Sequence, residues 1–492
     1  MAITVERKNV QFSPDSTKVI ARDFSLNSMR ATEIVMRVFH MPEKEAESAF
    51  NQILRDFSKR HRNITKILTR HFNKVKNIFI DLDIDINDIS TKKKLLIGAY
   101  FTMEYSIESA AFFNPSVFED PDQSGLNEGE KRIIVSFRAT GEGHISSLVF
   151  RRGIIDRKNN LTFQPAGKLI DEAERVKRYT YDKKSFQQKL LEMDVPEQLS
   201  GLVLDKLPDK FIYTQIRQTV ENIIQSNKMT IEKQKVLKEI LWLADSHYEL
   251  KFSLDTDISE RAIFPIMETE KKGIEDARFV RFVDNKGKVD YYATYTAYDG
   301  YTIMPKLLHT KDFYHFKVMP LHGKYAQDKN LALFPRKIKG KYVMLSRYDG
   351  RNNYIMFSDN INIWEEAKII QEPKYQWELV QVGNGGSPLE TDQGWLMITH
   401  GVGPMRKYSL GACLLDLEDP TKVIGRLKEP LLMPNEKERE GYVPNVVYTC
   451  GSIIHNNTLF LPYAMADYSS GFATVKIDEL LDELMNAKQK QA

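Results

Sequence analysis

The run Tyr291-Tyr292-Ala293-Thr294-Tyr295-Thr296-Ala297-Tyr298-Asp299-Gly300 reads as a strand closing on a turn. Lys341-Tyr342-Val343-Met344-Leu345-Ser346-Arg347-Tyr348-Asp349-Gly350 ends the same way, at a period of 50 residues from Gly300 to Gly350. Aromatic and β-branched residues suit a pleated, half-buried surface, and the terminal Gly marks the turn. A fixed period of this size is what successive blades of a β-propeller give. Aromatic-flanked runs at 353–357, 394–400 and 458–463 fit additional blades. In a propeller, side chains near inner-strand ends converge on the central channel, so residues distant in sequence can form one site.

Just upstream stands Gly273-Ile274-Glu275-Asp276-Ala277-Arg278-Phe279. Adjacent carboxylates and an arginine between two β-rich runs can be held rigidly at a sheet rim and aimed at a ligand. A binding or catalytic acid is one reading. A turn residue or solvated ion pair is the other, and the stretch read alone favours it.

Outward from this core the periodicity changes. Over 29–78, Phe50, Ile53, Leu54 and Phe57, then Ile64, Ile67, Leu68 and Phe72, recur at the spacing of one buried helix face, and 95–113 is read as a further helix. Short strands follow Asn114-Pro115, at 132–138 and 146–151, with Gly-rich turns between them. Helical spacing returns over 167–242, strands recur over 247–477, and a final helix ends in a Lys- and Gln-rich tail. The expected division is an N-terminal helical region at 1–108, a β domain at 109–165 and 247–480, a helical insertion at 166–246, and a C-terminal helical tail at 481–492.

At 492 residues the chain exceeds what one core usually holds. Its 70 basic and 67 acidic residues balance too closely to imply a nucleic-acid or membrane partner. The start, Met1-Ala2-Ile3-Thr4-Val5-Glu6-Arg7-Lys8, lacks the apolar stretch of a secretory signal. No run approaches the roughly 18 apolar residues of a membrane span, so a soluble, cytoplasmic protein is expected. Cys413 and Cys450 sit in apolar strand-like runs and read as buried free thiols. The histidines lack paired zinc spacing, and neither a Walker loop nor a dinucleotide fingerprint occurs, so no metal and no cofactor are expected.

The motifs together carry a resemblance. Glu275-Asp276-Ala277-Arg278 before an aromatic Thr-Tyr-Thr-Ala strand is similar to glycoside hydrolase family 130, the inverting mannoside phosphorylases and their hydrolytic relatives. Phe113-Asn114-Pro115, Phe137-Arg138, Lys329-Asn330-Leu331 through Pro335, and Gly340-Lys341-Tyr342 with Arg347 match in order. So do Gly394-Trp395-Leu396 leading to His400-Gly401-Val402, then Leu414 through Pro420, Val443-Pro444-Asn445-Val446-Val447, and Tyr463-Ala464-Met465-Ala466-Asp467. The resemblance covers about 110–160 and 247–480 and excludes both helical segments. It implies a mainly β, five-bladed propeller carrying an N-terminal helical segment and a helical insertion.

Inverting cleavage of a glycosidic bond needs a general acid for the leaving oxygen and a nucleophile on the opposite face. Water as nucleophile needs a second carboxylate as base. Phosphate is already an anion and needs cations and hydrogen-bond donors instead. By resemblance Asp276 is the acid, acting through a hydroxyl of the bound mannose. That role asks for a carboxyl protonated near neutral pH, which apolar walls or Glu275 would promote. Lys329, Arg347 and His400 look like phosphate ligands, and their cationic or donor character favours phosphorolysis. Taken singly, Lys329 could be a surface lysine, Arg347 could pair with Asp349, and His400 could be a core histidine. Asn114, Arg138 and Asp467 match mannose contacts. Glu275 and Arg278 join the expected substrate-binding set, as do Tyr408 and Tyr463, whose aromatic rings could equally be packing.

The expected reaction is attack of inorganic phosphate, as co-substrate, on a β-mannosidic bond of a disaccharide or oligosaccharide, releasing mannose 1-phosphate. A β-mannosidase on the same fold is one alternative, and a non-catalytic carbohydrate-binding propeller another. The two helical segments could also carry a homo-oligomer contact.

Overall fold

The computed structural model describes the chain except residues 1–2, 177–179, 194, 227–229, 266, 268–269, 302 and 490–492. The first two residues and the end of the Lys- and Gln-rich tail therefore lie outside the described part. The architecture is mainly β. Antiparallel meanders follow one another along the chain, each built because short apolar runs are cut by tight turns.

The first meander comprises Ala111–Glu119, Lys131–Thr140, Ser146–Ile155 and Leu161–Phe163. The second comprises Gly273–Val283, Val289–Tyr298, Ile303–Thr310 and His315–Pro320. Ala332–Leu333, Tyr342–Ser346, Asn353–Ser358 and Ala367–Gln371 form the third. Gln381–Asn384, Gly394–Val402, Tyr408–Leu415 and Val423–Arg426 form the fourth. In the last, Val447–Tyr448, Thr458–Met465 and Ser469–Lys476 are completed by Val5–Phe12 from the start of the chain.

The repeat seen in the sequence has a structural meaning. The runs ending at Gly300 and Gly350, and those at 394–400 and 458–463, each supply the second strand of a meander. The run at 353–357 differs: it is the third strand of the meander begun at Ala332, because only a short turn separates it from Tyr342–Ser346.

Consecutive meanders share apolar cores. Phe118 and Phe150 meet Phe279 and Phe313, and Val280 and Phe282 pack with Leu333 and Met344. Phe334 and Val343 meet Trp395 and Met397, and Leu396 and Leu410 join Leu459 and Leu461. Phe460 and Phe472 of the last meander then pack on Phe112 and Phe137 of the first. Burying a side chain of this size contributes about 1.5–3 kcal/mol, so these seams are the main lock between sheets. Cys413 and Cys450 are buried free thiols, and burial pushes Cys413 up to about 12.

Two helical groups flank the sheets, each with its own core. Ser28–His40, Glu43–Phe57, Ile64–Val75 and Thr91–Tyr100 enclose Val35, Leu96, Ile97 and, among others, Phe72. The helix expected over 95–113 stops at Tyr100; Thr102–Glu108 and Ala111–Glu119 are strands. From Thr102 the pattern has period two, with Tyr105 and Ile107 buried, and tertiary pairing of Thr102–Glu108 with Asp15–Asp23 decides the conformation. The insertion holds Lys183–Glu192, Glu197–Leu204, Tyr213–Ser226 and Ile231–Asp245 around Val220, Ile240 and Leu243. Among the described residues no helix is long and apolar enough to cross a membrane.

Candidate active site

First strands and the ends of second strands meet at a cavity of about 370 Å³. Asn114 comes from Ala111–Glu119, Arg138 from Lys131–Thr140, and Glu275 and Asp276 from Gly273–Val283. Lys329 precedes Ala332–Leu333, Arg347 follows Tyr342–Ser346, His400 lies on Gly394–Val402, Tyr408 opens Tyr408–Leu415, and Asp467 follows Thr458–Met465. Residues up to 353 positions apart are thus neighbours, from Asn114 to Asp467.

The backbone aims these side chains. The register of Gly273–Val283 slips by one residue between Glu275 and Arg278, and Asp276 has φ 52°. A matching slip lies between Phe113 and Ser116, where Asn114 has φ 47°. Asp467 has φ 49°. A bulge adds one residue to one strand and turns its side chain away from the ladder. Left-handed φ is costly for most residues and least so for Asn and Asp, so the sequence places those two types where the strand must kink.

Charge is organised around Glu275, whose Oε1 accepts from Arg138 Nη2 at 2.8 Å and whose Oε2 accepts from Lys329 Nζ at 2.6 Å. Asp276, with its side chain 13% exposed, lies with Oδ2 3.6 Å from Arg278 Nη2. Tyr448 donates to that Oδ2 at 3.3 Å. Burial alone would raise its pKa, but Arg278, Lys329, Arg138 and Arg347 together hold it below the ordinary aspartate value. This corrects the expectation of a carboxyl kept protonated by apolar walls or by Glu275. The walls are cationic, and Glu275 is itself engaged by two cations. Asp467 behaves oppositely: burial pushes it up to about 6, Arg138 opposing and Asp276 reinforcing the rise.

His400 also differs from expectation. Its Nδ1 lies 3.1 Å from the Asn384 carbonyl, which can only accept, so that nitrogen carries the proton. Nε2 then faces Arg347 Nη1 at 3.4 Å as an acceptor. Burial, reinforced by the charge of Arg347, holds the ring neutral. His400 orients Arg347 here and adds no third cation. Asp349 instead accepts from Arg351, Asn352 and Tyr354, and among the described residues Arg347 has no ion pair. Among the described residues, the buried Nε atoms of Arg347 and Arg138, and Asn114 Oδ1, have no protein partner. Such atoms are costly unless a ligand or water completes them.

Two expected site residues lie elsewhere. Arg278 is 2% exposed and sits beneath the cavity, donating to the Asp276 carbonyl and to Tyr448. Tyr463 faces the apolar core, where its hydroxyl donates to Glu438, itself paired with Arg7. Alternation along Thr458–Met465 turns it away from the cavity. The cavity adds Tyr448, Arg406, Gln381 and Asp328, which sequence reasoning missed. Tyr448 directly follows the quoted Val443–Val447 motif, the one available signal. Arg406 and Asp328 depend on left-handed backbone, φ 53° and 60°, which no motif announced.

Among the described residues the helical insertion supplies none of the cavity's lining, but it braces the loop that carries Lys329. Lys189 Nζ donates to the Leu321 carbonyl at 3.0 Å, and Gly323 N–H donates to Glu192 at 2.9 Å. Among the described residues no group of three or more His, Cys, Asp or Glu is placed to hold a metal.

A bulged aspartate thus lies among cations in one cavity, with arginine nitrogens that have no partner among the described residues. The family described as β-1,4-mannooligosaccharide phosphorylase, glycoside hydrolase family 130, matches residues 229–486, and the chain belongs to that family. It is 39% identical over 222 residues to a 1,2-β-oligomannan phosphorylase of a Thermoanaerobacter species, covering 43% of this chain and 71% of that protein. It is 31% identical over 253 residues to a β-1,2-mannobiose phosphorylase of Listeria innocua, covering 49% and 66% respectively. The solved structure of a Listeria innocua β-1,2-mannobiose phosphorylase with β-1,2-mannobiose aligns over 76% of this chain and 92% of its own, at 22% identity and a TM-score of 0.44.

Proposed function

We propose that Asp276 is the general acid of an inverting phosphorolysis in this cavity. The chain is an enzyme that phosphorolyses β-mannosidic bonds, with inorganic phosphate as co-substrate. The glycosidic C1–O bond breaks, a C1–O bond to phosphate forms with inversion, and the proton from Asp276 reaches the leaving oxygen by way of a hydroxyl of the bound mannose. Products are mannose 1-phosphate and a shortened acceptor.

The observation that carries this reading is Arg347, a guanidinium with no carboxylate partner among the described residues, held by neutral His400 in the cavity that contains Asp276. A phosphate completes such a fork well. Lys329 supplies the second cation, shared with Glu275. Asn114, Arg138 and Asp467 offer the donors and acceptors that sugar hydroxyls require. The recurring meanders, whose last packs on the first, support reading the scaffold as a five-bladed propeller with the site at one end of its channel. Relatives named for β-1,2-linked substrates make that linkage the first to assay.

One observation favours a second reading. Asp328 lines the cavity beside Lys329 and is a carboxylate that could activate water, as a β-mannosidase requires. Asp328→Asn separates the two. Phosphorolysis is expected to keep its rate within about threefold, whereas a base-using hydrolase loses about 10²-fold or more when its base is removed. Loss of that size in phosphate-free cleavage of β-1,2- or β-1,4-mannobiose would move the assignment to hydrolysis.

A further inference from the structure

We propose that Tyr448 is a positioning residue for the acid: its hydroxyl fixes Asp276 Oδ2 and leaves Oδ1 as the oxygen that exchanges the catalytic proton. This rests on the reading of Asp276 as the acid.

The hydrogen bonding of Tyr448 is fully determined. A tyrosine hydroxyl has one proton to give and two lone pairs. Arg278 Nη2 donates to it at 2.7 Å and Asn330 Nδ2 at 3.0 Å. Both groups are donors only, so both lone pairs are used and the proton is left for Asp276 Oδ2 at 3.3 Å. Burial keeps the phenol protonated far above neutral pH, so this donor persists throughout the working range. The ring is fixed as well, 4.8 Å from His400 between centroids and 7% exposed.

Tyr448 thus touches both halves of the site. On one side is the bulged acid. On the other, Asn330 adjoins Lys329, and His400, whose ring lies tilted against that of Tyr448, holds Arg347. When Asp276 gives up its proton, the O–H of Tyr448 stabilises the charge that appears, because a hydrogen bond to the ionised form favours that form.

Other groups also set the charge at Asp276. On its own strand these are Glu275 and Arg278; Arg138 comes from Lys131–Thr140 of the first meander and His400 from Gly394–Val402 of the fourth, with Asp467 just beyond a strand end. The loops contribute Lys329 and Arg347, and the Cys450 thiol lies behind. All of them remain in a Tyr448→Phe variant, so a changed pH profile there reports the lost hydroxyl.

The test is kcat for phosphorolysis against pH in wild type, Tyr448→Phe, Asp276→Asn and the double variant, with melting temperature as a check on folding. Tyr448→Phe is expected to lose about tenfold in kcat at the optimum while KM for phosphate stays within about twofold. The limb on which Asp276 must be protonated is expected to move to higher pH. Because Tyr448 acts through Asp276, the double variant is expected to match Asp276→Asn alone. An unmoved limb, or losses that multiply, would overturn the proposal. Should Tyr448→Phe not fold, the ζ-carbon NMR signal of wild-type Tyr448 decides. It is expected to titrate with the midpoint of the activity limb, and a flat signal across that limb overturns the idea. Failure of wild type to form mannose 1-phosphate from any β-mannobiose would instead sink the functional reading itself.

Discussion

Asp276→Asn is expected to lower kcat for phosphorolysis by about 10²–10⁴-fold, the usual worth of a positioned general acid. The substitution isolates chemistry from structure. Asparagine tolerates the left-handed backbone at φ 52° about as well as aspartate, so the bulge survives. An amide oxygen can still accept from Tyr448. What disappears is the transferable proton. It also removes a negative charge from a cavity that must admit an anion, so KM for phosphate is expected to stay level or fall. The measurement is steady-state kinetics with β-1,2-mannobiose and phosphate varied separately. A loss below tenfold would remove Asp276 from the acid role.

In the free protein, cations hold Asp276 below the ordinary aspartate value. On the proposed reading, a phosphate dianion arriving beside Arg347 and Lys329 would offset part of that field and raise the proton affinity of Asp276, coupling acid to nucleophile.

The second large effect is expected at Arg347. Arg347→Ala is expected to raise KM for phosphate by about 30–150-fold, equivalent to the roughly 2–3 kcal/mol of a desolvated charge-assisted contact. Its guanidinium is the cation with the most to give: it has no carboxylate partner among the described residues, and its buried Nε is unpartnered. Lys329 already shares Glu275 with Arg138, so its removal frees Glu275 as well and mixes two effects. Arg347→Lys keeps charge without the planar fork and is expected to recover only part of the loss. Kinetics at saturating mannoside decide it, and an unchanged KM for phosphate would place the anion elsewhere.

Much of this site was legible because its residues lie where strands begin and end, inside motifs with a turn residue or a bulge. The closes at Gly300 and Gly350 marked equivalent second strands, and Glu275-Asp276 sat where the sheet rim was expected. What the sequence hid is conformation that local pattern does not encode. Left-handed φ at Arg406 and Asp328 brings in two charged groups with no flanking glycine. The tautomer of His400 depends on a carbonyl at Asn384, and the direction of Tyr463 on strand alternation set by distant pairing. Val5–Phe12 pairs with Ser469–Lys476, a partner more than 450 residues away, from Val475 back to Val5. Such pairings are set by the assembled sheet and not by local propensity.

The most direct test of phosphorolysis is product analysis on β-1,2-mannobiose with and without inorganic phosphate, using Asp276→Asn as the control. The account predicts equal amounts of α-mannose 1-phosphate and mannose, formed only with phosphate, and next to none in the control. Free mannose alone, formed at the same rate without phosphate, would contradict it.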